Sequence, residues 1–147
     1  MLALNLALHS DETLSILHIN NFQPGKSGHS FQVEIEAPVD SGKPKFQQAV
    51  VGMPLDTLIE RYNLPCPNLI KIDVDGNETS ILEGMETILN NLEMRSIAVE
   101  VDQGQASQKN IERTLLGYGF KVLTDPRYTN EGYNRIEVPN VFFLRAK

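Results

Sequence analysis

The sequence predicts an α/β fold, a mostly parallel sheet with helices packed on it. Two observations carry that prediction. From Pro54 onward, apolar runs of strand length alternate with segments whose apolar residues recur every three or four positions, with short links between them. Such alternation is the mark of right-handed βαβ units. In addition, the runs at 69–74 and 96–101 are dense in Ile, Val and Leu, as expected for strands covered on both faces.

The elements follow in order. Residues 2–8, 13–19, 31–35 and 46–51 are short, rich in β-formers and separated by turn residues, so they read as strands. Phe31, Val33 and Ile35 alternate with Gln32, Glu34 and Glu36, the pattern of a half-exposed antiparallel strand. The stretches 23–29 and 40–44 are loops. Pro54 can open a helix, Leu55, Leu58, Ile59 and Tyr62 then recur at helical spacing, and Pro65 and Pro67 stop it. After the strand at 69–74 and the turn pair Asp75-Gly76, one helix is expected with Ile81, Leu82, Met85, Ile88, Leu89 and Leu92 on a single stripe. Following the strand at 96–101, Ser107 can cap a helix carrying Ile111, Leu115 and Leu116, which Gly117 or Gly119 ends. Strands at 120–123 and 141–144 complete the chain. The prediction is a single domain over 1–147, with 1–52 mainly β and 53–147 made of βαβ units and C-terminal strands.

Composition narrows the function classes. The chain has 147 residues with 13 basic and 19 acidic side chains, a net charge of −6. That balance argues against a nucleic-acid partner, which needs clustered Lys and Arg. The apolar runs fall far short of the ~20 residues that cross a bilayer, so no membrane span is expected. One cysteine, Cys66, cannot make an internal disulfide, which fits a reducing, cytoplasmic setting, and residues 1–8 lack the basic start of a secretory signal.

The informative feature is charge on strands that should be buried. Lys71, Asp73 and Asp75 share one face of their strand, while Ile70, Ile72 and Val74 share the other. Glu100 and Asp102 likewise share a face near the end of the next one. Ligands of open α/β sheets bind beyond the carboxyl ends of the strands, and adjacency of the two strands would make Asp73, Asp75 and Glu100 converge there. Two carboxylates ~6 Å apart repel by roughly 3 kcal/mol at an effective dielectric of ~20. A group of three therefore needs a cation, a shared proton or water, and Lys71, a metal ion or a positively charged ligand could supply it. The bland alternative is that Asp75 caps the following helix with Glu78 as its capping-box partner. It does not account for Asp73 or Glu100.

Other motifs fail on spacing. Gly25-Lys26-Ser27 resembles the end of a phosphate loop, but position 20 is Asn. Asp73, Asp75 and Asn77 mimic a calcium loop, but Glu78 stands where glycine is required. Asn77-Glu78-Thr79 is a glycosylation triplet in form only. His9, His18 and His29 have no metal-ligand spacing, Cys66 has no histidine partner, and no glycine pattern for a dinucleotide cradle exists.

Three motifs carry a family resemblance. Pro54-Leu55-Asp56-Thr57-Leu58, then Leu69-Ile70-Lys71-Ile72-Asp73-Val74-Asp75-Gly76-Asn77-Glu78, then Ile81-Leu82-Glu83-Gly84-Met85 closely resemble the FkbM family of S-adenosylmethionine-dependent methyltransferases. Ala98-Val99-Glu100 is similar to the family's next strand, and Asn5-Leu6-Ala7-Leu8 with Asp11 to its third. Two departures accompany the likeness: Asp75 stands where the family has Glu, and the chain starts at the counterpart of the third strand, without the glycine-rich cofactor loop. The resemblance implies an incomplete Rossmann-like class I methyltransferase sheet, mostly parallel with an antiparallel C-terminal strand, plus an N-terminal β-hairpin-like insertion. It implies S-adenosylmethionine as cofactor and methyl transfer to a hydroxyl of a sugar, glycan or small natural product. Asp73, Asp75 and Glu100 would then be the catalytic carboxylates, and Leu8, His9 and Asp73 the cofactor contacts, with no metal. The family sheet order, 3-2-1-4-5-7-6, leaves the edge at 69–74 uncovered here. Residues 1–8 are expected to fill it, or two chains to pair there as a homodimer. The competing reading is a non-catalytic interaction module derived from a methyltransferase. A metal-dependent hydrolase is disfavoured, because no histidine accompanies the acids.

Overall fold

A computed structural model describes residues 3–19, 29–32, 46–74, 76–100, 105–123 and 140–145. Asp75, Asp102, the loops at 23–28 and 40–44 and most of the alternating stretch at 31–35 lie outside the described residues. Among these residues the fold is mixed α/β, with two four-stranded sheets.

The first sheet contains β1 (Ala7–Leu8), β2 (Thr13–Ile19), β3 (His29–Gln32) and β4 (Phe46–Met53) in the order β1-β4-β2-β3. β2 pairs antiparallel with both β3 and β4, giving the hairpin-like N-terminal part, while β1 runs parallel to β4. The second sheet contains β5 (Leu69–Ile72), β6 (Ser96–Glu100), β7 (Phe120–Val122) and β8 (Asn140–Arg145) in the order β5-β6-β8-β7. β5 and β6 are parallel, and β8 is antiparallel to both β6 and β7. The sheets are thus mixed, not mostly parallel as expected, because every described pairing except β1·β4 and β5·β6 is antiparallel.

Four helices pack on the second sheet: α1 (Leu55–Tyr62), α2 (Glu78–Glu83), α3 (Glu86–Asn90) and α4 (Gln105–Gly117). Pro54, at φ −60°, sits just before α1, and Asn63 ends it in the left-handed conformation, φ 49°. Asn63 therefore stops α1 ahead of the prolines. The single helix expected to carry Ile81 through Leu92 is broken in two at Gly84-Met85, and Leu92, placed on its buried stripe, is 81% exposed. Ser107, expected at the start of this helix, lies two residues inside α4, and Gly119, at φ +83°, follows the helix end.

The core gathers Ile72, Ile81, Leu82, Met85, Ile88, Leu89, Met94, Ile97, Val99, Ile111, Leu115, Phe120 and Phe143, each worth about 1.5–3 kcal/mol when fully buried. Leu55 and Ile59 of α1 pack against the same cluster. The strand residues in it come from one face of the sheet. On the other, register aligns Leu69, Ser96 and Leu144, then Lys71, Ala98 and Phe142. Leu69 there is 68% exposed and Leu144 42%. Among the described residues, therefore, 69–74 is covered on one face and not on both as expected: β5 ends the order of its sheet, and the four described helices build their core on one side. Of residues 1–8, expected at that edge, the described Ala7 and Leu8 pair instead with Gly52 and Met53 of β4.

Candidate functional site

Parallel pairing of β5 with β6 puts both carboxyl ends on one side, Ile72 opposite Val99. Asp73 and Glu100 each come one residue later, and their side chains meet. The Asp73 carboxyl is held below the usual carboxylate range, first by its hydrogen bond with Glu100 and then by the one Lys71 Nζ donates to it. Lys71 forms an ion pair with Asp73, and that contact raises its own pKa. Both side chains are about half exposed, Lys71 at 58% and Asp73 at 49%, so solvent screens the ion pair. The structure therefore places Asp73 beside Glu100 at the ends of adjacent parallel strands, with Lys71 paired to Asp73.

The turn after β5 is held by a residue that the sequence offered as a capping partner. Glu78 is only 5% exposed, and its Oε1 accepts the Gly76 N–H at 3.2 Å. Glu78 is the first residue of α2, whose N-cap Asn77 makes no side-chain cap bond, so the capping-box reading of Glu78 does not hold. Gly76 sits at φ +98°, where a side chain is strained, and the space around its missing Cβ is open.

Leu8 and His9, the expected cofactor contacts, are tied to the helix that leaves this turn. Leu8 packs against the core. The His9 N–H donates to Met53 O at 3.1 Å, and the Ser10 N–H to Ser80 Oγ of α2 at 3.1 Å. The His9 ring accepts the Asp11 N–H on Nδ1 at 3.2 Å, which leaves the ring proton for Nε2. Gly84 permits this docking: a Cβ there would lie 2.2 Å from the His9 carbonyl oxygen and 3.2 Å from Pro54 Cα.

Two further residues organise the frame, and sequence reasoning missed the role of both. Asp56 accepts the Thr87 N–H at 2.7 Å and the Ile88 N–H at 3.1 Å, capping α3 from 31 positions away. Arg145 donates to Met94 O and Tyr118 O, each at 2.9 Å, and to Leu89 O, and its guanidinium lies 4.3 Å from the centre of the Phe120 ring. The only sequence signal for Asp56 is an acid in a first helical turn, and none marks Arg145.

The three motifs thus form one unit: Asp56 of the first caps the helix after the third, whose Gly84 receives His9, and the middle motif ends in the carboxylate pair. The family model described as methyltransferase FkbM domain matches residues 1–122. The chain belongs to the FkbM methyltransferase family. A curated relative, hexuronic acid methyltransferase AglP of Haloferax volcanii, is 33% identical over 60 residues, 41% of this chain and 24% of that protein. The FkbM chain thus matches about a quarter of that relative's length. No solved structure matches it. Among the described residues, no three His, Cys, Asp or Glu side chains cluster as metal ligands, and no helix is long and apolar enough to cross a membrane.

Proposed function

We propose that the chain carries the reaction-centre half of an S-adenosylmethionine-dependent O-methyltransferase acting on a hydroxyl of a sugar or other small molecule. The observation that carries this is the Asp73–Glu100 pair at the carboxyl ends of adjacent parallel strands, inside a family match of 122 residues. The sheet order β5-β6-β8-β7 with β8 reversed also supports it, being the order of the last four strands of a Rossmann-like class I methyltransferase.

The residues fit the cofactor in charge. A sulfonium is cationic, and Asp73, kept ionised by its hydrogen bonds, offers the complementary anion, while the open Gly76 turn leaves room for close approach. Bound S-adenosylmethionine supplies an electrophilic methyl group. Asp73 would orient the cation, and a carboxylate of the Asp73–Glu100 pair would accept the proton leaving the acceptor hydroxyl. Asp75 is proposed to line the acceptor side, and Leu8 and His9 the adenine side. The relative's named substrate class makes a hexuronic acid the first acceptor to try.

The test is transfer of labelled methyl from S-adenosylmethionine to glucuronic acid and to glucose by the purified chain, with Asp73→Asn and Glu100→Gln alongside. Turnover that falls at least tenfold in both variants supports the reading. Turnover indifferent to both would remove the pair from the mechanism. A second reading, a non-catalytic binding module, draws on the half-exposed setting of Asp73, which a closed active site would shield. Cofactor binding without transfer to either acceptor would favour it.

A further inference from the structure

Glu78 is the one buried carboxylate among the described residues, 5% exposed, and neither of the ion pairs described there includes it. Burial of a carboxylate is unfavourable unless hydrogen bonds offset it, so the place of Glu78 in the fold follows from the bond it makes. That bond runs from the Gly76 N–H to Glu78 Oε1 at 3.2 Å. The same N–H also donates to Val74 O at 3.2 Å, a contact that spans only two positions. A charge-assisted bond is roughly twice as strong as a neutral one, so the carboxylate is the stronger hold on the turn.

Glu78 is itself fixed in place. It opens α2, whose Ile81 and Leu82 are buried in the core, and through it the core grips Gly76. On the strand side, Ile72 is buried and pairs with Val99. Asp73 and Val74 lie between these two anchors, with the Asp73 carboxyl against Glu100. Gly76 can be the second anchor because glycine adopts φ +98° without strain. Without the Glu78 bond, the end of β5 is held from the strand side and by the weaker Val74 contact.

We propose that Glu78 is a positioning residue, holding the Gly76 turn from inside the fold and so keeping Asp73 in place against Glu100. It acts through the turn and not on a ligand. Its consequence for turnover rests on the methyltransferase reading above, whereas the positioning can be read in the chain without cofactor.

NMR of the full chain without cofactor tests the positioning. In Glu78→Ala, exchange of the Gly76 amide should quicken about tenfold, the effect of losing a charge-assisted bond. The Asp73 midpoint should rise toward the ordinary carboxylate value as its contacts with Glu100 and Lys71 loosen. Glu78→Gln keeps an oxygen acceptor at the same reach, so it should hold exchange within about threefold of the original and leave the midpoint low. Ser80→Ala loses the bonds to Ser10 from the same helix and should not move Asp73, which separates positioning from a general loosening of α2. Gly76→Ala strains the turn from its other end, in open space, and should raise the Asp73 midpoint as well; it decides the matter should Glu78→Ala not fold. A midpoint that stays low once the turn is released, that rises equally in Ser80→Ala, or that Glu78→Gln fails to keep low would overturn the proposal. Where the original chain transfers methyl, Glu78→Ala should lower kcat about tenfold with KM for the cofactor within about threefold, and an unchanged kcat would also overturn it. A chain that transfers none contradicts the methyltransferase reading, and the titration then decides the positioning by itself.

Discussion

Gly84→Ala sets two effects of opposite sign against each other. Gly84 has φ −82°, an ordinary conformation for any residue, at the end of α2. Local propensity therefore favours alanine by about 0.5–1 kcal/mol. Packing opposes it. The new Cβ would stand 2.2 Å from the His9 carbonyl oxygen and 3.1 Å from the His9 carbonyl carbon, both backbone atoms that cannot rotate away. Ordinary contact begins near 3.4 Å, so the segment must retreat by about 1 Å, an overpacking strain worth roughly 1–3 kcal/mol. The retreat also stretches the bonds from His9 N–H to Met53 O and from Ser10 N–H to Ser80 Oγ. Each of those is worth about 1 kcal/mol. The net expectation is a loss of about 2–4 kcal/mol, or a Tm lower by roughly 5–15 °C. Urea unfolding followed by circular dichroism reads it directly, with Gly117→Ala as the control because a Cβ there meets nothing within 4 Å. A Gly84→Ala chain as stable as the original would refute the docking of His9 on α2.

Other positions give independent checks. Asp56→Ala removes the acceptor of two α3 amides and should cost about 1–2 kcal/mol in the same unfolding assay, with Asp56→Asn recovering part of it. Arg145→Met keeps the stem over Phe120 but loses the bonds to three carbonyls, so a loss of about 3 kcal/mol is expected, and Arg145→Lys should recover less than half because it lacks the planar fork. The Asp73 carboxyl, followed by NMR, should titrate below the ordinary range, and Lys71→Met should move its midpoint upward. Because its folded value is depressed, the contribution of Asp73 to stability is present above the unfolded pKa and lost as pH falls through the folded one.

Much of the second half is legible in the sequence because its physics is local. Pro54 with Leu55, Leu58 and Ile59 marks α1, and apolar runs mark β5 and β6. Parity along those strands places Asp73 and Glu100 near their ends, so the pair follows from side-chain alternation and strand adjacency alone. What escapes a sequence reading depends on contacts far apart along the chain. The stripe of Ile81, Leu82, Met85, Ile88 and Leu89 is periodic through Gly84, so nothing local reveals the break between α2 and α3. The break exists because His9 and Pro54 crowd Gly84 and Asp56 caps a fresh helix start. Arg145 looks like a polar residue at a strand end, and its role emerges only when Leu89, Met94 and Tyr118 bring their carbonyls together around it. The density of Ile and Val at 69–74 suggests burial on both faces, yet composition cannot say whether a neighbour is there to provide it.

Calorimetric titration of the folded 147-residue chain with S-adenosylmethionine tests the central claim most directly, that the Asp73–Glu100 pair serves a cationic methyl donor. The account predicts saturable binding that weakens about tenfold or more in Asp73→Asn, the loss expected when one charge partner is removed. A folded chain that takes up no cofactor, or binds it equally well after Asp73→Asn, would contradict it.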